Sequence, residues 1–293
     1  MKRFEIKVLA VVLASIAASM AHAAGIAGGY TQNFDAMGTG GTTLPSGWTA
    51  WSITTGSNGH SQWTTSIPGS DVGAGTSVAI ASALLDSAIT TGTKSAQPYN
   101  IAHAATPTDR VLATSPTGDD GIALQLVLSN DTGASIGALQ ISYDIDKFYD
   151  GTKQSSQSSG LPTGEELPGY QLFYSVNGGS WTNVAALNPV STADGVHPVV
   201  AAGSPANSGV SGPVSYSVTS INNALITLDT AWADGQTLSL RWVDDNAVNI
   251  SPDQVIGLNN VQIAAVPEPQ SFALALVAML LTAAAGRFGK RRP

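Results

Sequence analysis

The chain has no cysteine, so no disulfide, zinc-thiolate site, iron–sulfur cluster or thiol nucleophile enters into its chemistry. Basic residues are few, and most lie at the two ends. Between residues 24 and 266 only Lys94, Arg110, Lys147, Lys153 and Arg241 stand against eighteen acids, a formal charge of −13. A surface of that sign repels nucleic acid and anionic lipid, leaving neutral glycans, cations and other proteins as expected partners. Leu-, Lys- and Glu-rich helical stretches are missing from the same region, and no repeat of fixed period is visible, which argues against solenoids and propellers. An uninterrupted apolar run of the roughly 20 residues that spans a bilayer is also lacking.

What is present begins at the ends. Lys2, Arg3 and Lys7 precede an apolar stretch from Val8 to Ala18, and Ala21-His22-Ala23 supplies a small-x-small cleavage site, so residues 1–23 read as a secretory signal peptide routed through the Sec machinery. At the other end stand Pro267, Glu268 and Pro269, an apolar run from Phe272 to Gly286, and then Arg287, Lys290, Arg291 and Arg292. The apolar run reaches spanning length only by drawing in Gln270, Ser271 and Phe288, which suits transient membrane retention through a C-terminal helix. The basic finish would stay cytoplasmic. It also cannot follow the run into a folded interior.

This three-part ending resembles the PEP-CTERM sorting signal of Gram-negative bacteria. The resemblance implies recognition near Pro267-Glu268-Pro269 by an exosortase, an integral membrane cysteine protease-like enzyme, in organisms that make extracellular polysaccharide. This chain would then be the substrate, with Glu268 a recognition element. Three regions follow: signal peptide 1–23, exported domain 24–266 and sorting tail 267–293. The expected location is transiently the inner membrane, then the cell envelope, surface or extracellular matrix.

The exported region is rich in Gly, Ser, Thr, Asn and Pro, a balance that predicts many short strands joined by turns. Leu139, Ile141, Tyr143 and Ile145 alternate with polar residues, as do Ile122, Leu124, Leu126 and Leu128. Shorter period-two runs occur at Leu172–Val176, Leu225–Leu228, Leu238–Trp242 and Val261–Ile263. The expected fold is all-β, an antiparallel β-sandwich of jelly-roll-like form flanked by a signal helix and a transmembrane helix, with Tyr30–Phe34 pairing near Val255–Ile263. Residues 92–121, 150–168 and 188–213 read as loop-like inserts.

Scattered segments resemble a β-sandwich module common in secreted bacterial proteins, sometimes joined to nuclease-type domains or to this tail. They are Asn33-Phe34-Asp35, Leu44-Pro45-Ser46-Gly47-Trp48, Thr108-Asp109-Arg110-Val111-Leu112, Asn130-Asp131-Thr132-Gly133, Tyr174-Ser175 through Trp181, Leu240 to Asn246, and Ile256 to Val261. Where that module shows a Gly-Glu-Gln-Trp-Arg-like segment, Asp144 to Asp150 departs from it. The resemblance implies no catalytic residue.

Few residues suggest chemistry. Asp131-Thr132-Gly133 has the letters of an aspartic protease loop, but that mechanism needs two aspartates sharing a proton, and Asn130-Asp131-Thr132-Gly133 is a turn by composition. His60, His103 and His197 lack a Gly-x-Ser-x-Gly elbow, and Glu165 and Glu166 lie in an insert where a glycosidase pair would need rigid placement. Two acidic groups are candidates for calcium: Asp144, Asp146 and Asp150, and, preferred, Asp244, Asp245, Asn246 and Asp253. Without calcium, no cofactor is expected. Trp48 and Trp51, three apart on one strand, should face opposite sides and leave a ring free to stack on a sugar, with Trp63 joining it. Trp242 follows Leu238 and Leu240 inward, with Arg241 opposite. The sequence thus predicts a non-enzymatic, exopolysaccharide-contacting surface protein. The alternatives are a secreted polysaccharide hydrolase and, less well supported by its adjacent Thr pairs, an ice-binding protein.

Overall fold

The computed structural model describes residues 23–54, 69–89, 97–116, 120–150, 169–189, 212–245 and 254–266. Both terminal segments therefore lie outside it, as do His60, Trp63, Glu165, Glu166, His197, Asn246 and Asp253. Among the described residues no helix is long and apolar enough to cross a membrane.

The elements in chain order are β1 (Ala24–Gly25), β2 (Tyr30–Gln32), β3 (Trp48–Thr54), α1 (Gly69–Gly73), β4 (Thr76–Val78), β5 (Ala83–Leu85), β6 (Gln97–Ala102), β7 (Val111–Ser115), β8 (Asp120–Ser129), β9 (Ile136–Asp150), β10 (Gln171–Val176), β11 (Thr182–Asn183), β12 (Gly212–Trp232), β13 (Thr237–Asp244) and β14 (Val255–Ala265). They form two sheets. The first runs β11-β10-β13-β8-β3-β4 with β1 beside β8; the second runs β12-β9-β14-β7-β6-β5 with β2 beside β14. All pairings are antiparallel except β1 with β8 and β5 with β6.

The alternation seen in the sequence decides which face is buried. Leu124, Leu126 and Leu128 of β8 and Leu238, Leu240 and Trp242 of β13 meet Leu139, Ile141, Tyr143 and Ile145 of β9 in one core between the sheets. That contact makes the molecule a β-sandwich. At its centre Trp48 stacks on Trp242 at 5.5 Å, Phe34 meets Trp48 edge-on at 5.0 Å, and Tyr143 meets Trp242 edge-on at 5.9 Å. Such ring pairs add about 0.5–1.5 kcal/mol each beyond the area they bury.

The expected pairing of the two ends of the domain is present, with Val261, Gln262 and Ile263 of β14 opposite Gln32, Thr31 and Tyr30 of β2. Residues 92–121 are not one insert. They hold β6 and β7, whose side chains are almost all buried, Leu112 in the main core and Tyr99, Ile101, Val111 and Ala113 in a second cluster on the outer side of the sheet. A strand covered on both faces has no polar alternation to betray it.

An amide-lined seam and its neighbours

The open edge of β14 is shared by two partners. Its first part pairs with β7 through Ile256, Gly257 and Leu258, and its last part with β2 through Val261, Gln262 and Ile263. Between them the strand bulges, so that Asn260 and Val261 together oppose Tyr143 of β9. Asn260 takes the left-handed conformation this requires, with φ 48°. On the other flank of β9 a matching bulge sets Asn222 and Asn223 against Ser142; Asn223 has φ 52° and its backbone N–H donates to Ser142 Oγ at 2.8 Å.

The seam opens as a groove of about 340 Å³ lined by Thr31, Gln32, Asn33, Asn260, Val261 and Gln262. Hydrogen bonds fix its walls. Asn260 Nδ2 donates to Asp144 Oδ2 at 2.8 Å, Asn33 Nδ2 donates to Asp35 Oδ2 at 2.7 Å, and the Phe34 N–H donates to Gln32 Oε1 at 2.7 Å. Asp35 also accepts the Arg110 N–H at 2.8 Å, tying the two sides of the seam together. Phe34 is buried at φ 63°, a conformation that costs a bulky side chain about 1–3 kcal/mol. Three of the sequence segments noted above, 33–35, 108–112 and 256–261, thus converge here.

Beside the groove, on the outer face of the same sheet, Asp144 and Asp146 project together as the strand alternation predicts; the Asp150 side chain lies outside the described residues. Asp146 is buried and accepts a hydrogen bond from Tyr216 Oη at 3.2 Å. Burial pushes its carboxyl up to about 7, a rise that the Tyr216 bond opposes and the neighbouring Asp144 and Asp109 charges assist. The Tyr216 ring stacks on His103 at 4.6 Å, and His103 Nδ1 meets Asp86 Oδ2. Sequence reasoning missed this Asp–His–Tyr–Asp chain, because its members lie on four separated segments.

Of the preferred calcium group, Asn246 and Asp253 lie outside the described residues, and the other two are buried. Asp244 is fully buried between the sheets, its Oδ2 accepting the Thr114 hydroxyl at 2.5 Å and its Oδ1 accepting Gln254 Nε2 at 2.7 Å. Asp245 is also buried. The cause is register: Asp244 stands two residues after Trp242 and shares its inward face. Burial raises the Asp244 carboxyl well above its ordinary range, with Lys147 pulling the other way. Among the described residues no group of three His, Cys, Asp or Glu could hold a metal ion.

The tryptophans divide as expected but neither is a free platform. Trp48 is 2% exposed and its Nε1 donates to Tyr30 Oη at 2.6 Å, so it cannot meet a sugar. Trp51 faces the outer side of its sheet, where Arg241 lies between it and Trp181, at 4.3 and 4.6 Å from the two ring centres. Arg241 further donates to Gln125 Oε1 at 2.6 Å and to the Val72 carbonyl of α1, and desolvation lowers its guanidinium to about 10.

Asp131 has a structural task. Its Oδ1 accepts the N–H groups of Ile26 and Ala27 at 2.8 and 2.7 Å, clamping β1 to the end of β8. Those bonds, Ala27 foremost, hold its carboxyl below the usual range.

No family model matches the chain, and no curated protein matches it. Among solved structures it is similar to that of TmCBM61 in complex with β-1,4-galactotriose, at 9% identity and a TM-score of 0.25, over 54% of this chain and 72% of that one. It is also similar to the catalytic domain of a GH87 α-1,3-glucanase in complex with tetrasaccharides, at 13% identity and a TM-score of 0.22, over 79% of this chain and 30% of that one. Neither likeness is close enough to transfer a ligand or an activity.

Proposed function

We propose that this chain is a non-enzymatic, exported surface or matrix protein, delivered by its N-terminal signal and a C-terminal PEP-CTERM tail, whose jelly-roll-like domain contacts extracellular polysaccharide. The observation that carries the sorting part is the order at the C-terminus: Pro267-Glu268-Pro269, apolar run, then Arg287, Lys290, Arg291 and Arg292. An exosortase would remove the tail after the apolar helix has held the chain in the inner membrane. The non-catalytic part draws support from the engagement of the described carboxylates: Asp131 clamps a strand, Asp244 ties the sheets, and Asp144 and Asp35 brace amides.

Intact-mass analysis of the protein from host cells with and without the exosortase tests the sorting. A chain ending near residue 267 in the first and a full tail in the second is expected; a full tail in both would refute it. A hydrolase reading has the His103–Asp86 contact in its favour. It predicts release of reducing ends from host polysaccharide, abolished in His103→Ala, whereas the non-enzymatic reading predicts none from either protein.

A further inference from the structure

The seam between β2 and β7 is concave and lined mostly by neutral polar side chains. Val261, on its floor, belongs to the core, and the remaining lining residues carry hydroxyl or amide groups. Its size lies within the range of small-ligand sites, roughly 300–1,000 Å³. Asn260 gives its N–H to Asp144 and Asn33 gives its N–H to Asp35, so both amides are held in set orientations before any ligand arrives. Gln262, Thr31, Asn33 and Asn260 are all exposed. Protein partners seek apolar and aromatic centres, which this groove lacks.

Charge narrows the ligand further. The basic side chains among the described residues are Arg110, Lys147 and Arg241, and all are buried, at 1%, 2% and 3% exposure. Arg110 donates to Asn100 Oδ1, to the Asn100 carbonyl and to the Leu84 carbonyl, and is not directed at the groove. Among the described residues, the ionic groups that border the groove are the Asp35 and Asp144 carboxylates. They disfavour an anionic sugar there.

We propose that this groove is a binding site for an uncharged polysaccharide, whose hydroxyl groups are read by Asn33, Asn260, Gln262 and Thr31. The proposal rests on the reading of the domain as polysaccharide-facing, and deepens it by naming the place and the ligand class. It moves the contact from the tryptophans of one sheet to the amides of the other.

The test uses the full-length chain, purified in a zwitterionic detergent, against arrayed neutral glucans, galactans and mannans and against anionic alginate and pectate. The variant Asn260→Gly with Gln262→Ala removes both amides while keeping the φ that residue 260 needs. Trp51→Ala serves as the competing location, and thermal melts confirm folding of each protein. Binding of a neutral glycan by the parent, weakened at least tenfold in the double variant and unchanged in Trp51→Ala, is expected. Equal binding by parent and double variant, loss in Trp51→Ala alone, or preference for the anionic glycans would overturn the groove while leaving polysaccharide contact standing. Failure of the parent to bind any glycan would overturn both, and leave the sorting reading to its own experiment.

Discussion

Single side chains in this protein do work that their sequence neighbourhoods disguise. Asp131 sits in a protease-like triplet and clamps β1 through two backbone N–H groups. Its depressed carboxyl contributes stability above the unfolded pKa, and that contribution is lost as pH falls through the folded value. Asp131→Asn should therefore flatten the acid limb of the melting curve and speed amide exchange at Ile26 and Ala27; unchanged exchange would show that the clamp is idle. Asp146 has the opposite sign. Between the ordinary carboxylate range and about 7 the folded state holds a proton that the unfolded chain has released, so stability falls as pH rises across that window. Asp146→Asn should reduce this slope, to which the buried Asp244 also contributes, and stabilise the protein at pH 8 by on the order of 2 kcal/mol in denaturant titrations. A parent whose stability is flat from pH 5 to 8 would contradict the buried, protonated carboxyl. Trp51→Ala should cost about 2 kcal/mol, because it uncovers one face of Arg241, and do so without touching glycan affinity.

The legibility of the sequence was governed at the level of elements by how many faces a strand buries. β8, β9 and β13 set large apolar residues on the core face and mostly polar or small ones on the other, and that period-two alternation located them and even placed Trp242 inside, although Ala123 and Val243 are also covered on the outer side. β6 and β7, packed on both sides, read as insert. The two Trp of β3 were assigned to opposite faces correctly, yet the Arg241 that covers Trp51 comes from a strand 190 residues later, which no local pattern reveals. The groove was least visible of all, since it arises from β14 changing partner and bulging at Asn260. Elements also set the cost of small changes. A Cβ added to Gly25 would lie 2.2 Å from Asp131 Oδ2, so Gly25→Ala should displace the same clamp that Asp131→Asn breaks. The two substitutions should be strongly non-additive in a double-mutant melting cycle; additive losses would mean that Gly25 acts elsewhere. At the edge of the second sheet, β12 leaves Val218 45% and Leu225 62% exposed, while its register breaks interrupt the long unpaired edge.

Taken whole, the molecule keeps the cations of its described residues inside and shows acids and amides outside. The two sheets are joined near one end by Thr114, Tyr170, Asp244 and Gln254, a buried polar group linked by hydrogen bonds. The middle of the chain and its terminal segments carry opposite charge, acidic in the middle and basic at both ends. That separation is what a chain needs if its ends must engage a membrane and its middle must not. If the final segment is an address that brings a polysaccharide-facing domain to the cell boundary, fractionation of host cells that express either the full chain or a chain ending at Val266 will separate the two proteins. The full chain should be found with the envelope or surface matrix and the shortened one in the medium; equal cell association of the two would rule out the address.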